Sequence, residues 1–356
     1  MAEIPEIPLV DIGRGGGIAL FDAQADRAAA LVETALSAHA LLPLAARLAD
    51  RISLRWLTRQ ANPYRDEIAY IAEHLSRRGA YFLNIVYEWA CSTSAAPDPS
   101  GNGARMIRVL DWGLTGIGRY VVIARHETTA GPFYNATWPG FVGVLTAMAP
   151  GRFAAAINQA PRMPIVGPRW LDEALSRVRL LSLAAALPAA HLLRRVCEEA
   201  GDYESAVAML MDRSVLLAMP AIFVLSGTER TQCCVIEAIA RDRRLHRGAE
   251  IDNFTVGVAN DWLSSDLDGV PRPHALEWAR MAPRENNQVR RKRVCALQGG
   301  AFAGTSDLAP PVLNSHTVLV AAANAATGEM LVEALDPIPG QSPVPHVVAR
   351  RRVQHH

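Results

Sequence analysis

A chain of 356 residues that is 50% apolar and only 20% charged can bury a large core, which excludes a disordered or low-complexity protein. Its net charge of +1 and pI near 7.8 exclude a general electrostatic pull toward nucleic acid or anionic lipid, so a partner must be recognised locally. Five cysteines (Cys91, Cys197, Cys233, Cys234, Cys295) without CxxC or Cys/His spacing argue against both a disulfide framework and a zinc site.

The opening residues lack the cationic start and apolar run of a secretory signal, and the expectation is a cytoplasmic protein. Gly13-Arg14-Gly15-Gly16-Gly17 reads as a flexible loop, because no Lys-Ser/Thr follows it as in a phosphate loop. Ala23 to Ala38 and Leu44 to Arg59 carry apolar residues at three- and four-residue spacing and predict packing helices. Ala80 to Ala90 is β-branched and aromatic, reading as a buried strand that leads into Cys91.

After a turn at Pro97 to Gly103, strands are predicted over Arg105 to Trp112, Arg119 to His126, Gly140 to Ala149 and Arg152 to Gln159. Pro168 to Met211 reads as helical, with breaks near Pro188 and at Gly201-Asp202, where Asp202 can cap the next helix. Its apolar part, Leu180 to Leu193, is interrupted by Ser182, Pro188 and His191 and is short of the roughly 20 residues that span a bilayer, so no integral membrane segment is expected.

Strands resume at Ala221 to Gly227, Cys233 to Ile239 and Phe254 to Asn260, and a hairpin joins His316 to Ala323 with Met330 to Leu335. At most one of Cys233 and Cys234 is expected to reach the core. The Arg290-Arg291-Lys292-Arg293 run reads as a solvated loop, with no aromatic platform for nucleic acid beside it, and residues 341–356 as a loose Pro/Arg-rich tail. Helices, strands, helices and strands again, without regular alternation, predict an α+β fold with antiparallel sheets.

Cys91 taken alone, at the end of an apolar run, reads more readily as a small buried hydrophobe than as a nucleophile. Arg108 and Asp111, three apart on one strand, point to opposite faces and read equally as a surface charge and a turn carboxylate. Asn260-Asp261 could cap a turn, and Arg272 could lie on the surface.

Taken together, these residues resemble a known family. Asn84 to Glu88 leading into Cys91-Ser92-Thr93, the Arg108 to Gly113 strand, Thr137 to Asn158, Pro220 to Ile236, Asn260-Asp261-Trp262 and Arg272 follow in the order seen in acid ceramidases and N-acylethanolamine acid amidases, N-terminal-nucleophile hydrolases related to choloylglycine hydrolases and penicillin V acylases. The resemblance covers roughly residues 80 to 336. It implies a four-layer αββα sandwich, with a helical segment 1–90 (the α-subunit) released by cleavage before Cys91, a catalytic domain 91–340 (the β-subunit), and an α/β heterodimer that could further oligomerise.

It further implies a cysteine-dependent amidohydrolase acting on a small-molecule N-acyl amide through a thioester, without a cofactor. Cys91 would be the nucleophile and its freed α-amine the base, since a thiol with a pKa of about 8.5 is only partly ionised at neutral pH. Asp111 would hold the amine, Arg108 would favour the thiolate and pair with Asp111, Asn260 would donate to the oxyanion, and Arg272 would complete the cluster. Asn158, Gln159 and Trp112 would belong to the substrate and oxyanion region. One departure stands out: Gln159 occupies the place of a family glutamate and cannot carry a proton. Acyl transfer to another amine, and a non-catalytic scaffold, are the alternative readings.

Overall fold

The computed structural model describes residues 4–37, 42–75, 79–84, 89–114, 116–161, 186–250, 254–267, 269–270, 281–337 and 344–355. Helices α1 (Gly16–Ala23), α2 (Ala25–Ser37), α3 (Leu42–Arg59), α4 (Arg65–His74) and the short α5 (Ala80–Leu83) precede the main sheets. Strands β2 (Trp89–Pro97), β3 (Ala104–Trp112), β13 (Val256–Val258), β14 (Thr317–Asn324), β15 (Glu329–Asp336) and β16 (His346–Gln354) form one sheet, in the order β13-β2-β3-β14-β15-β16.

The second sheet contains β1 (Leu9–Gly13), β4 (Val122–His126), β5 (Phe133–Thr137), β6 (Thr146–Ala149), β7 (Phe153–Gln159), β10 (Ala221–Gly227), β11 (Cys233–Ile239) and β12 (Asp242–Arg247), in that spatial order. A two-strand pair, β8 (Ala186–Leu187) with β9 (Leu216–Leu217), lies apart. The two large sheets are antiparallel except for the edge pair β1–β4, and the small β8–β9 pair is parallel. The fold is α+β, as expected. β2 and β3 face β7 and β10 across the core, α6 (Ala189–Glu199) and α7 (Tyr203–Met211) cover the second sheet, and α8 (Pro283–Ala296) covers the first.

Small side chains explain this stacking. β2 reads Ala-Cys-Ser-Thr-Ser-Ala-Ala after its tryptophan and is buried on both faces, so β7 and α8 can approach it closely. At Gly257 a Cβ would collide with Cys295 Sγ of α8, so a larger residue there would have to displace that side chain. Asp202 caps α7, accepting from the Ser205 N–H at 2.7 Å, as the sequence predicts.

Several expectations change. Ala80–Leu83 is helical rather than extended, and Asn84 closes it by donating to the Ala80 carbonyl at 2.9 Å. Only Thr146–Ala149 of the 140–149 run is a strand, and β1, β5 and β12 were not anticipated. The 346–354 stretch is an edge strand, not a loose tail, because Arg350 reaches the fully buried Glu333 across the β15–β16 ladder. Cys233 and Cys234 are both buried, since each face of β11 is covered. The 290–293 run lies in α8 with Arg290 buried, and the Gly13–Gly17 segment is an ordered strand-turn-helix. Much of the predicted 168–211 helical block and all of Arg272 lie outside the described residues.

His126, stacked on Phe133 at 4.1 Å, and His191, bonded to Asn62, are pushed down to a pKa of about 3 by burial, with Arg194 adding to it. The unfolded chain therefore binds protons between the ordinary 6.5 and about 3 that the folded chain refuses. Stability is complete above the unfolded value and is lost as pH falls through this window, by up to roughly 1.4 kcal/mol per pH unit for each histidine. Thermal unfolding followed by circular dichroism should show a midpoint that is flat above about pH 7 and drops below about pH 6. A midpoint unchanged down to about pH 4.5 would contradict this account.

Candidate active site

The β2–β3 register places Ala90 opposite Asp111, Cys91 opposite Leu110 and Thr93 opposite Arg108. Cys91 sits inside β2 rather than at a strand end. β13 pairs with β2 only as far as Thr93, so beyond that point the chain leaving β13 can present a side chain to Cys91. Asn260 does so, its Oδ1 accepting the Cys91 N–H at 2.9 Å.

Strand alternation then divides the site between two faces. Cys91, Thr93 and Arg108 point into the sandwich toward β7. Arg108 Nη1 donates to Asn158 Oδ1 at 2.6 Å and Thr93 Oγ1 at 3.1 Å, and Cys91 Sγ lies 3.7 Å from the Ile157 carbonyl. Ser92 and Asp111 point the other way, toward α8. There Asp111 accepts from Thr317 at 2.8 Å and lies 3.8 Å from Arg290 Nη1. The expected Arg108–Asp111 pair is thus replaced by Arg290–Asp111, because the two residues of β3 occupy opposite faces.

Arg290 is the residue that sequence reasoning missed. It is 1% exposed and donates to the Cys91 carbonyl (2.8 Å), Ser92 Oγ (3.2 Å), Asn260 Oδ1 (2.9 Å), Asn287 Oδ1 (2.5 Å) and Asn286 Oδ1 (2.9 Å). A usable signal existed: Asn286, Arg290 and Val294 recur every four residues, the spacing of one buried helix face.

Asn260 and Asn158 differ from their expected parts. Two donors, from Cys91 and Arg290, converge on Asn260 Oδ1 and fix its amide orientation, so its Nδ2 points to the Gln159 carbonyl at 2.8 Å. Asn158 likewise accepts from Thr93 and Arg108 and donates to the Val258 and Ala259 carbonyls, holding the end of β13. Asn158 thus uses both of its amide N–H groups on backbone carbonyls, whereas Asn260 uses one of its two. Residue 159 meets the site through its backbone, its carbonyl bonding Asn260 and its N–H facing the Cys91 sulfur.

Burial pushes the Cys91 thiol up to about 11; Arg108 opposes this, Asp111 adds to it, and the Gln159 N–H and Arg290 work against it. Arg108 is fully buried, and its Nε and Nη2 have no hydrogen-bond partner among the described residues. A guanidinium with unmet donors beside a neutral thiol is a site prepared for negative charge.

Trp112, next to Asp111, packs edge-on against Trp89 (5.7 Å) and Trp138 (5.4 Å). It also lines an apolar cleft whose other wall comes from α2, α4 and Ala80. Among the described residues no group of three or more His, Cys, Asp or Glu is placed to hold a metal, and no helix is long and apolar enough to cross a membrane.

No protein-family model matches this chain. Its sequence is 27% identical over 226 residues to the "Probable acid ceramidase" of Caenorhabditis elegans, an alignment covering 57% of this chain and 52% of that protein. Over that stretch the chain is similar to an acid ceramidase. It spans about half the length of the curated relative it matches.

Solved structures similar to this chain include an N-acylethanolamine-hydrolyzing acid amidase orthologue from Caenorhabditis elegans, at 16% identity and TM-score 0.49, covering 66% of this chain and 93% of that one. Penicillin V acylase from Agrobacterium tumefaciens matches at 13% identity and TM-score 0.37, covering 68% of this chain and 82% of its own. A conjugated bile acid hydrolase mutant from Clostridium perfringens matches at 9% identity and TM-score 0.42, covering 74% and 92% respectively.

Proposed function

We propose that the protein is a self-processing cysteine amidohydrolase for linear N-acyl amides with an apolar acyl group. The observation that carries this reading is the buried Arg108, with unmet donors, beside a thiol whose own backbone is gripped by Asn260 and Arg290. In the first step Cys91 Sγ attacks the Ala90 carbonyl carbon, the Ala90–Cys91 C–N bond breaks, and its nitrogen takes the proton to become a free α-amine. Water then hydrolyses the resulting thioester, restoring the thiol and leaving a carboxylate on Ala90.

Asn260 Oδ1, already bonded to that nitrogen at 2.9 Å, is placed to hold the new amine. Its pKa of roughly 8 suits it to take the thiol proton and later return it to a leaving amine. Substrate turnover then repeats the chemistry. The thiolate attacks the acyl carbon, the amine departs with the proton, and water releases the acid. Arg108 stabilises the thiolate and the oxyanion that follows it. Since residue 159 bonds the site through its backbone, the glutamine there is compatible with this scheme.

The acyl chain is assigned to the cleft beside Trp112 because its lining is almost wholly apolar, the character expected of a site for an apolar group. Residues 1–90 and 91–356 become the two chains of a heterodimer. Intact-mass measurement of the purified protein after incubation at several pH values tests the reading. The expected result is a pair of fragments ending at Ala90 and starting at Cys91, together with hydrolysis of a fatty-acyl amide. A chain that stays whole under every condition overturns it.

A further inference from the structure

The cleft is built from two parts of the chain that cleavage would separate. Val32, Ile71, Leu75 and Ala80 lie on one side, and Trp112 and Phe141 on the other. Apolar contact alone fixes no width for such a gap, because dispersion forces are not directional. Two buried polar side chains tie these two parts together.

Asn84, 1% exposed, donates to the Gly140 carbonyl at 2.9 Å and accepts the Val142 N–H at 2.7 Å, while also bonding the Ala80 carbonyl. Arg194 of α6, 3% exposed, donates to the Val142 carbonyl at 3.1 Å and makes a two-pronged bond to Glu67, both distances 2.8 Å. Glu198 takes the Arg194 Nε at 2.8 Å and the Tyr64 hydroxyl at 2.7 Å, and the guanidinium lies 4.1 Å from the Tyr64 ring centre.

Glu67 stands one helical turn before Ile71 on α4, so fixing the carboxylate fixes a cleft-lining side chain. It also accepts the Gly17 N–H at 2.5 Å, and a Cβ on Gly17 would lie 2.7 Å from the same oxygen. The glycine-rich start of α1 is therefore occupied by the chain's own anion rather than a phosphate. Burial works against the charge on Arg194, but its bonds to Glu67 and the nearby Glu198 outweigh that and raise its pKa.

We propose that Asn84 and Arg194 are positioning residues that set the width of the cleft, by stitching both of its walls to the backbone of residues 140–142. Their effect falls on acyl-chain selection and not on bond cleavage. The inference rests on the cleft being the acyl site.

The test is a titration with a fluorescent straight-chain polyene fatty acid and with a bulky aryl-acyl probe, using the full chain with Cys91→Ala so that no cut intervenes. Arg194→Lys and Asn84→Ala are each expected to weaken the straight-chain probe about tenfold, the size of one lost buried hydrogen bond, and to shift preference toward the bulky probe. Asn84→Ala removes no charge and keeps the test decisive if Arg194 proves indispensable to folding. Undiminished binding in natively folded variants overturns this inference alone. No probe binding by the parent, or binding that Trp112→Ala leaves unchanged, overturns the acyl-cleft reading with it.

Discussion

Replacing Cys91 by alanine is expected to leave the chain in one piece and to reduce amide turnover to the uncatalysed background, a loss on the order of 10⁶-fold if the thiol is the nucleophile. The fold should survive. The side chain removed is small, and the bonds from Asn260 and Arg290 go to the backbone of Cys91, which alanine keeps. What disappears is the sulfur and the anion that Arg108 is prepared to meet. Cys91→Ser retains a weaker nucleophile in the same place and should cut slowly or not at all, because a hydroxyl is far less ionised than a thiol. Intact-mass time courses of the three proteins, with chromatographic assay of the released amine, decide the matter. Continued scission before residue 91 in the alanine variant would remove this cysteine from the mechanism.

How far the sequence leads depends on what kind of signal each residue leaves. β3, β7, β10, β11 and the β14–β15 hairpin are β-branched or apolar runs bounded by turns, and they lie close to where pattern places them. Cys91, Arg108, Asp111, Asn158 and Asn260 are likewise found around one point, although Asp111 and Arg108 reach it from opposite faces of β3. The arginines of β16 look like a solvated tail in sequence, and the carboxylates that hold Arg350, Arg351 and Arg352 in place, Glu333, Glu6 and Glu329, come from distant parts of the chain.

Arg290 escaped notice for a related reason. In an Arg-Arg-Lys-Arg run every side chain looks alike, and the helix that turns one inward and three outward is invisible to composition. The roles of the two asparagines were beyond sequence altogether, since each depends on which neighbours supply donors. Asn260 accepts where a donor was expected, because a strand N–H and a guanidinium both point at its oxygen.

Arg290→Lys is expected to slow both self-cleavage and turnover by a factor of about 10² to 10³, the usual cost of losing a preorganised donor near the reacting atoms. The reasoning is geometric. Lysine keeps a positive charge near Asp111, so the electrostatic field changes little, but a single ammonium cannot reach the Cys91 carbonyl, Ser92, Asn260, Asn286 and Asn287 together. The grip on the Cys91 carbonyl and on Asn260 loosens first, and with it the placement of the thiol and of the nitrogen that becomes the base. Each bond lost to a charged group is worth about 1.5 to 3 kcal/mol before compensation, so the melting temperature should also fall by several degrees. Arg291→Lys and Lys292→Gln, on the exposed side of α8, should change the cleavage rate by less than about twofold. Rates measured at a temperature well below every midpoint separate chemistry from unfolding. If Arg290→Lys cleaves at the wild-type rate while melting earlier, the buried guanidinium serves the fold and leaves the chemistry to Arg108 and Asn260.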